Sequence, residues 1–178
     1  MSAEKITEST KETFEALYDE YMPKVFKYIQ YKVSNMQLTE DLTSIVFEKA
    51  LTNFGKYSKD KAAFSTWVFS IARNTVIDHY RSRGRQQTVS LENVVIDIES
   101  KDPLPDEQLD KKEEIRKLQL CLSGLSGQEQ ELISLKFSSE LNNRQIAKML
   151  GLSESNVGTR LYRAVRKLRD SFQELENG

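Results

Sequence analysis

The chain has 178 residues, 38% hydrophobic and 30% charged, with a net charge of −1, a size for one domain or two small ones and a composition ordinary for a water-soluble globular protein. Its one cysteine, Cys121 in the apolar run LQLCL, excludes an internal disulfide and a cysteine metal cluster, and reads as a small buried hydrophobe. No apolar run approaches membrane-spanning length and the polar start MSAEKITEST is no signal peptide, so a cytoplasmic protein is expected.

Seven Gly and three Pro leave little material for hairpins, and the long periodic segments predict helices. Phe14, Leu17, Tyr18, Tyr21, Val25, Phe26 and Ile29 lie at helical spacing. Pro23 falls inside that helix and predicts a kink or two abutting helices. The pattern breaks at Ser34–Asn35. A second helix is expected from Thr39 as N-cap, with Glu40 and Asp41 in its first turn. Leu42, Ile45, Val46, Ala50 and Phe54 are expected to face the core, which leaves Asp41, Ser44, Phe47, Glu48 and Leu51 on other faces. Phe47 and Leu51, four apart, fit an exposed apolar strip for a partner equally as well as a helix buried on two sides.

Residues 55–63, GKYSKDKAA, form a basic loop in which Lys56, Lys59 and Lys61 outnumber Asp60. Phe64–Arg85 then reads as one long helix with a buried stripe of Trp67, Val68, Ile71, Ala72, Thr75 and Val76. Its other side carries Arg73, Asn74, Asp78, Arg81, Arg83 and Arg85, interleaved with Trp67, Phe69, His79 and Tyr80. Cations hold phosphates, while aromatic faces and an amide receive unstacked bases. A core helix with a solvated basic end has the same pattern, and for an arbitrary chain is the commoner case.

Residues 87–110 hold seven acids and one base, net −6, with Asp-Pro-Leu-Pro at 102–105 and no helical face, which reads as a tether. It divides a first domain, 1–86, from a second, 111–178. There Ile115, Leu118, Leu122 and Leu125 mark one helix, and Ser126-Gly-Gln-Glu129 is a capping box for the next, with Leu132, Ile133 and Leu135 to Phe137 apolar. The run NNRQIAKMLGLSESNVGTRLYRAVRKLR has helix-turn-helix spacing: Ala147 is small where the helices meet, Gly151 suits the positive φ of the turn, and Ser153 caps the second helix. That helix carries Arg160, Arg163, Arg166, Lys167 and Arg169. Such a basic helix is built for a DNA groove, through Ser155, Asn156, Thr159, Arg160, Arg163 and Arg166. Gly158 inside it weakens the helix, and Tyr162 is expected to pack or to touch a phosphate.

The run F-S-T-W-V-F-S-I-A-R-N followed by D-H-Y-R resembles the promoter-melting helix of bacterial sigma factors of the extracytoplasmic-function group, and V-x-T-R-L-x-R-A resembles their minus-thirty-five-reading domain. The resemblance covers roughly residues 12–85 and 110–170. It implies an all-α fold of two small helical domains joined by an extended acidic linker that mimics nucleic acid. The implied function is transcription initiation, with no catalysis, cofactor or metal. The implied partners are promoter DNA, the RNA polymerase core through its beta and beta-prime subunits, and an anti-sigma factor. Lys61, Ser65, Arg73, Asn74, Asp78 and Arg81 would serve minus-ten recognition and melting, and Asp41, Ser44, Phe47, Glu48 and Leu51 the polymerase core. One departure is Thr43-Ser44-Ile45, where the family usually carries Gln and an acid. Two other classes remain open at this stage. A stand-alone regulator would couple the helix-turn-helix to a sensing domain. An enzyme would need a centre that one His, one Cys and no phosphate-cradling Gly loop do not supply.

Overall fold

A computed structural model of the protein describes residues 8–33, 35–83 and 109–178. Among them all regular structure is helical, as expected: α1 Glu8–Val33, α2 Met36–Asn53, a 3-10 turn at Phe54–Lys56, α3 Phe64–Arg83, α4 Leu109–Ser123, α5 Gly127–Ser138, α6 Asn143–Leu150 and α7 Glu154–Asn177. Residues 84–108, which include Arg85 and most of the acidic tether, lie outside the described residues. Helix α4 begins at Leu109, within the last residues of the expected tether.

The first three helices form one core. Helix α1 runs unbroken through Pro23, so of the two expectations the split into two abutting helices does not occur. A proline removes one backbone donor and crowds the preceding turn. Here Tyr21 and Met22 before it and Val25, Tyr28 and Ile29 after it pack on the same core.

Helix α2 starts earlier than expected, with Asn35 as its cap: the Asn35 side chain accepts from the Leu38 amide at 2.8 Å. Thr39 is instead a buried residue within the helix, and Glu40 and Asp41 fall beyond the first turn. The buried stripe is Thr39, Leu42, Thr43, Val46, Phe47 and Ala50. Two of its members are polar, and they bury because their hydroxyls donate to the carbonyls of Asn35 and Thr39, each at 2.7 Å. Threonine in that stripe hid its true direction. Ile45, expected inward, is 39% exposed, while Phe47 is 5% exposed with its ring edge against Tyr18 at 4.8 Å. Of the two readings left open for Phe47 and Leu51, the exposed strip does not form: Phe47 is buried and Leu51 remains outside.

Helix α3 buries Phe64, Val68, Phe69, Ala72, Thr75 and Val76. Phe69 is wholly buried, its centroid 5.7 Å from that of Tyr28. It is therefore a core residue and not a free aromatic face, and burying a side chain of this size stabilises by about 1.5–3 kcal/mol.

In the second half, Cys121 is buried as expected, and Leu122 and Leu125 point inward. Ile115 does not: it is exposed, because α4 meets α7 through its later turns. The capping box at α5 is present, with Glu129 Oε2 accepting from the Ser126 amide at 2.9 Å. Leu132, Ile133 and Leu135 are buried, but Phe137 is exposed. A second box, Asn142 with Gln145, opens α6. Gly151 takes φ 68° at the turn and Ser153 Oγ accepts from the Asn156 amide at 3.1 Å, so both expectations hold. The two helical groups touch, chiefly α1 against α5.

Burial pushes the Glu129 carboxyl up, but hydrogen bonds from Lys167 and from the Ser126 amide and hydroxyl, with the Lys167 charge, outweigh it, and the pKa is lowered. A carboxyl whose pKa falls on folding adds stability above its unfolded value and loses it as pH falls through the folded one. The thermal midpoint should therefore fall on acidification below about pH 5. In Glu129→Gln, which keeps the box but not the charge, the midpoint should be lower at neutral pH and its acid dependence shallower. At Gly158 an added Cβ meets only Asn143 Nδ2, at an ordinary 3.7 Å. Gly158→Ala should stabilise by up to about 1 kcal/mol in denaturant melts.

Candidate nucleic-acid interface

Helix α7 is held by Val157, Leu161 and Ala164, which are buried against the rest of the second domain. That fixes its rotation. Ser155, Thr159, Arg163 and Arg166 are exposed on the opposite side and, by spacing, share one stripe. Tyr162, expected to pack or to touch a phosphate, does not pack: it is 70% exposed and belongs to that stripe. Asn156 and Arg160 flank it, half-buried and joined by an Arg160 Nε donation to Asn156 Oδ1 at 2.7 Å. This bond presets the guanidinium before any ligand arrives. The stripe is a rigid, cationic ridge with a hydroxyl at its leading end, suited to phosphate and base edges.

The α3 candidates divide. Asn74, Asp78 and Arg81 are exposed and share one face. Asp78 lies 3.8 Å from Lys49 Nζ, a cation contributed by α2 that the sequence pattern did not single out. Arg73 sits about a quarter-turn away and faces the other domain, with Nε 3.5 Å from Glu131 Oε1. The structure therefore does not bring Arg73 together with the other three. His79 is half-buried, its Nε2 is buried without a hydrogen-bond partner, and its pKa is lowered by burial and then by the Arg83 charge. It is a neutral ring near neutral pH, set edge-on to Tyr80 at 5.4 Å.

Before α3 the basic loop is fastened by Tyr57, whose hydroxyl donates to the Ala62 carbonyl at 3.2 Å. The Tyr57 ring lies 5.0 Å from Trp67 and 5.5 Å from Phe64. Lys61 is exposed on this loop and Ser65, half-buried, opens α3. Tyr57 is not among the residues that the sequence pattern singles out; its place between two lysines, ten residues before Trp67, is the available signal.

On α2, Asp41, Ser44, Glu48 and Leu51 are exposed along one face, joined there by Ile45 in the place expected for Phe47. Beside it, Tyr18, Met22, Phe26, Glu40, Thr43, Ser44 and Phe47 line an open groove of about 400 Å³ between α1 and α2. Phe47 thus reaches the surface only as part of the groove wall. Among the described residues no group of three or more His, Cys, Asp or Glu could hold a metal ion, and no helix is long and apolar enough to cross a membrane.

Against known families, residues 17–86 match Sigma-70 region 2 and residues 115–168 match Sigma-70, region 4. The extracytoplasmic-function (ECF) RNA polymerase sigma factor BldN of Streptomyces coelicolor is 33% identical over 158 residues, 88% of this chain but 59% of that protein's length. The ECF RNA polymerase sigma factor SigX of Bacillus subtilis is 29% identical over 171 residues, 93% of this chain and 86% of SigX. Among solved structures, the sigma factor RpoE of Bartonella quintana, crystallised with the anti-sigma factor NepR, superposes with a TM-score of 0.69 at 21% identity, covering 91% of this chain and 98% of RpoE. That likeness speaks to the fold alone. The two modules in this order and the sequence relatives leave one conclusion: the chain belongs to the sigma-70 family, in its extracytoplasmic-function group.

Proposed function

We propose that this protein is a transcription initiation factor that binds the RNA polymerase core, directs it to particular promoters and opens the DNA there. The observation that carries the reading is the pairing of two Sigma-70 modules with two exposed polar and cationic helix faces, one on α3 and one on α7, each held in rotation by the buried apolar residues of its own helix.

The division of labour follows from which faces are free. The stripe Ser155–Thr159–Arg163–Arg166, flanked by Asn156 and Arg160, reads the minus-thirty-five element from the domain spanning 111–178. In the domain spanning 1–86, Asn74, Asp78 and Arg81, with Lys61 and Ser65 at the loop, hold the minus-ten element and an unstacked base. The face of Asp41, Ser44, Glu48 and Leu51, with Phe47 in the groove wall beside it, docks on the polymerase core. An anti-sigma factor is a further partner, on the analogy of RpoE with NepR. The protein works in the cytoplasm and by binding alone, without catalysis.

Run-off transcription with purified polymerase core tests the reading. Addition of the chain should produce promoter-specific transcripts that core alone does not, and no such gain would refute it. Arg163→Ala should weaken promoter binding by the holoenzyme by about 1–3 kcal/mol if the guanidinium reads a guanine. Equal loss on every promoter variant, measured by competition gel shifts, would make Arg163 a phosphate contact instead.

A further inference from the structure

The stripe that α7 turns outward has unequal edges. Asn156 and Arg160 flank it on one side. By helical spacing Gly158 flanks it on the other, one turn after Ser155 and one turn before Tyr162. Gly158 presents no side chain, so that edge is a notch, and its back wall comes from another helix. A Cβ at Gly158 would meet Asn143 Nδ2, of the first residue of α6, at 3.7 Å.

The orientation of that amide is set from behind. Lys136 of α5 donates to Asn143 Oδ1 at 2.9 Å. An ammonium has only donors, so the oxygen is the atom turned toward α5 and the NH2 group the one turned toward α7. Lys136 and Asn143 are both half-buried, which holds the pair against the domain. Among the described residues nothing accepts from Nδ2, and its N–H groups are left for a ligand that enters beside Gly158.

We infer that Asn143 is a further specificity-determining residue for the minus-thirty-five element: through the notch at Gly158 its NH2 group donates to a keto oxygen of a base, O6 of guanine or O4 of thymine. The inference rests on the reading above that the α7 stripe enters the minus-thirty-five groove. Adenine and cytosine carry an amine at the corresponding place, which meets Nδ2 donor to donor and is disfavoured. A side chain at position 158 would stand between the amide and the groove. The glycine that weakens α7 is thus what lets α6 take part in reading the sequence. A phosphate oxygen could accept from the same N–H groups, but the notch opens into the stripe beside Ser155 and Tyr162, where base edges are met.

The test is selection from a promoter library randomised across the minus-thirty-five element, with the chain bound to polymerase core. Wild type should show a position that favours guanine or thymine over adenine and cytosine. Asn143→Ala should flatten that position alone and lower affinity for the preferred sequence by about five- to tenfold. Gly158→Ala covers the amide with a methyl. It should flatten the same position even though thermal melts show a more stable fold, a combination that loss of structure does not produce. Asn143→Asp puts a carboxylate oxygen in place of Nδ2 and should turn the preference toward adenine and cytosine. Equal loss by Asn143→Ala on every sequence would make the residue a phosphate contact and overturn the inference. So would a Gly158→Ala variant that keeps the wild-type preference, or an Asn143→Asp variant that still favours guanine or thymine. If Asn143→Ala loses helicity by circular dichroism, Gly158→Ala decides alone, since its methyl meets Nδ2 at an ordinary contact distance. A wild type that selects no motif at all refutes the initiation reading, and this inference with it. A wild-type motif that the variants leave unchanged refutes only the role of Asn143.

Discussion

An ionised carboxylate leaves water only where other groups replace its hydration, and Glu131 imposes that condition on the whole arrangement. Its partners come from α1 and α3, while its own helix belongs to the second domain. Apolar surfaces tolerate small slides and rotations because dispersion contacts are interchangeable. A buried charge with three named neighbours does not. As a source of net stability such a pair is weak, since desolvation takes back most of the Coulombic gain. As a selector of one docking register between the two helical groups it is strong, and the Lys24–Glu140 pair at the outer end marks the same register.

Much of each domain was legible because its signals are local. The capping box at Ser126, the positive φ at Gly151 and the cap at Ser153 each depend on a few neighbouring residues and the backbone they require. Helix α3 was legible because its apolar period is long. What escaped was decided by other parts of the chain. Thr39 and Thr43 bury by bonding their hydroxyls one turn back, which no hydropathy pattern records, and with them the facing of Ile45 and Phe47 was read wrongly. Phe69 looked like a ligand for bases because aromatic rings serve both cores and nucleic acids; only the position of Tyr28 settles which.

The polar side of α5 is the clearest illegible feature. The sequence pattern singles out none of Glu131, Ser134, Ser138 and Lys32, yet all four are buried. The contact between the two helical groups follows from charge complementarity across about a hundred residues, and periodicity within one helix carries no trace of it. The same holds for Arg73, whose position on α3 was clear while its partner was not.

The hydrogen bond between Arg160 and Asn156 limits what the leading turns of α7 can read. An amide offers one carbonyl oxygen and one NH2 group. In Asn156 the oxygen already accepts from the guanidinium at 2.7 Å. With that bond kept, the side chain presents to a groove mainly its two N–H donors. Set against base edges as proposed, it favours acceptors, the N7 of a purine, O6 of guanine or O4 of thymine, and discriminates poorly in favour of the exocyclic amines of adenine and cytosine. The familiar two-point pairing of asparagine with adenine uses that same oxygen, so at Asn156 the adenine amine would have to share it with Arg160 through its second lone pair.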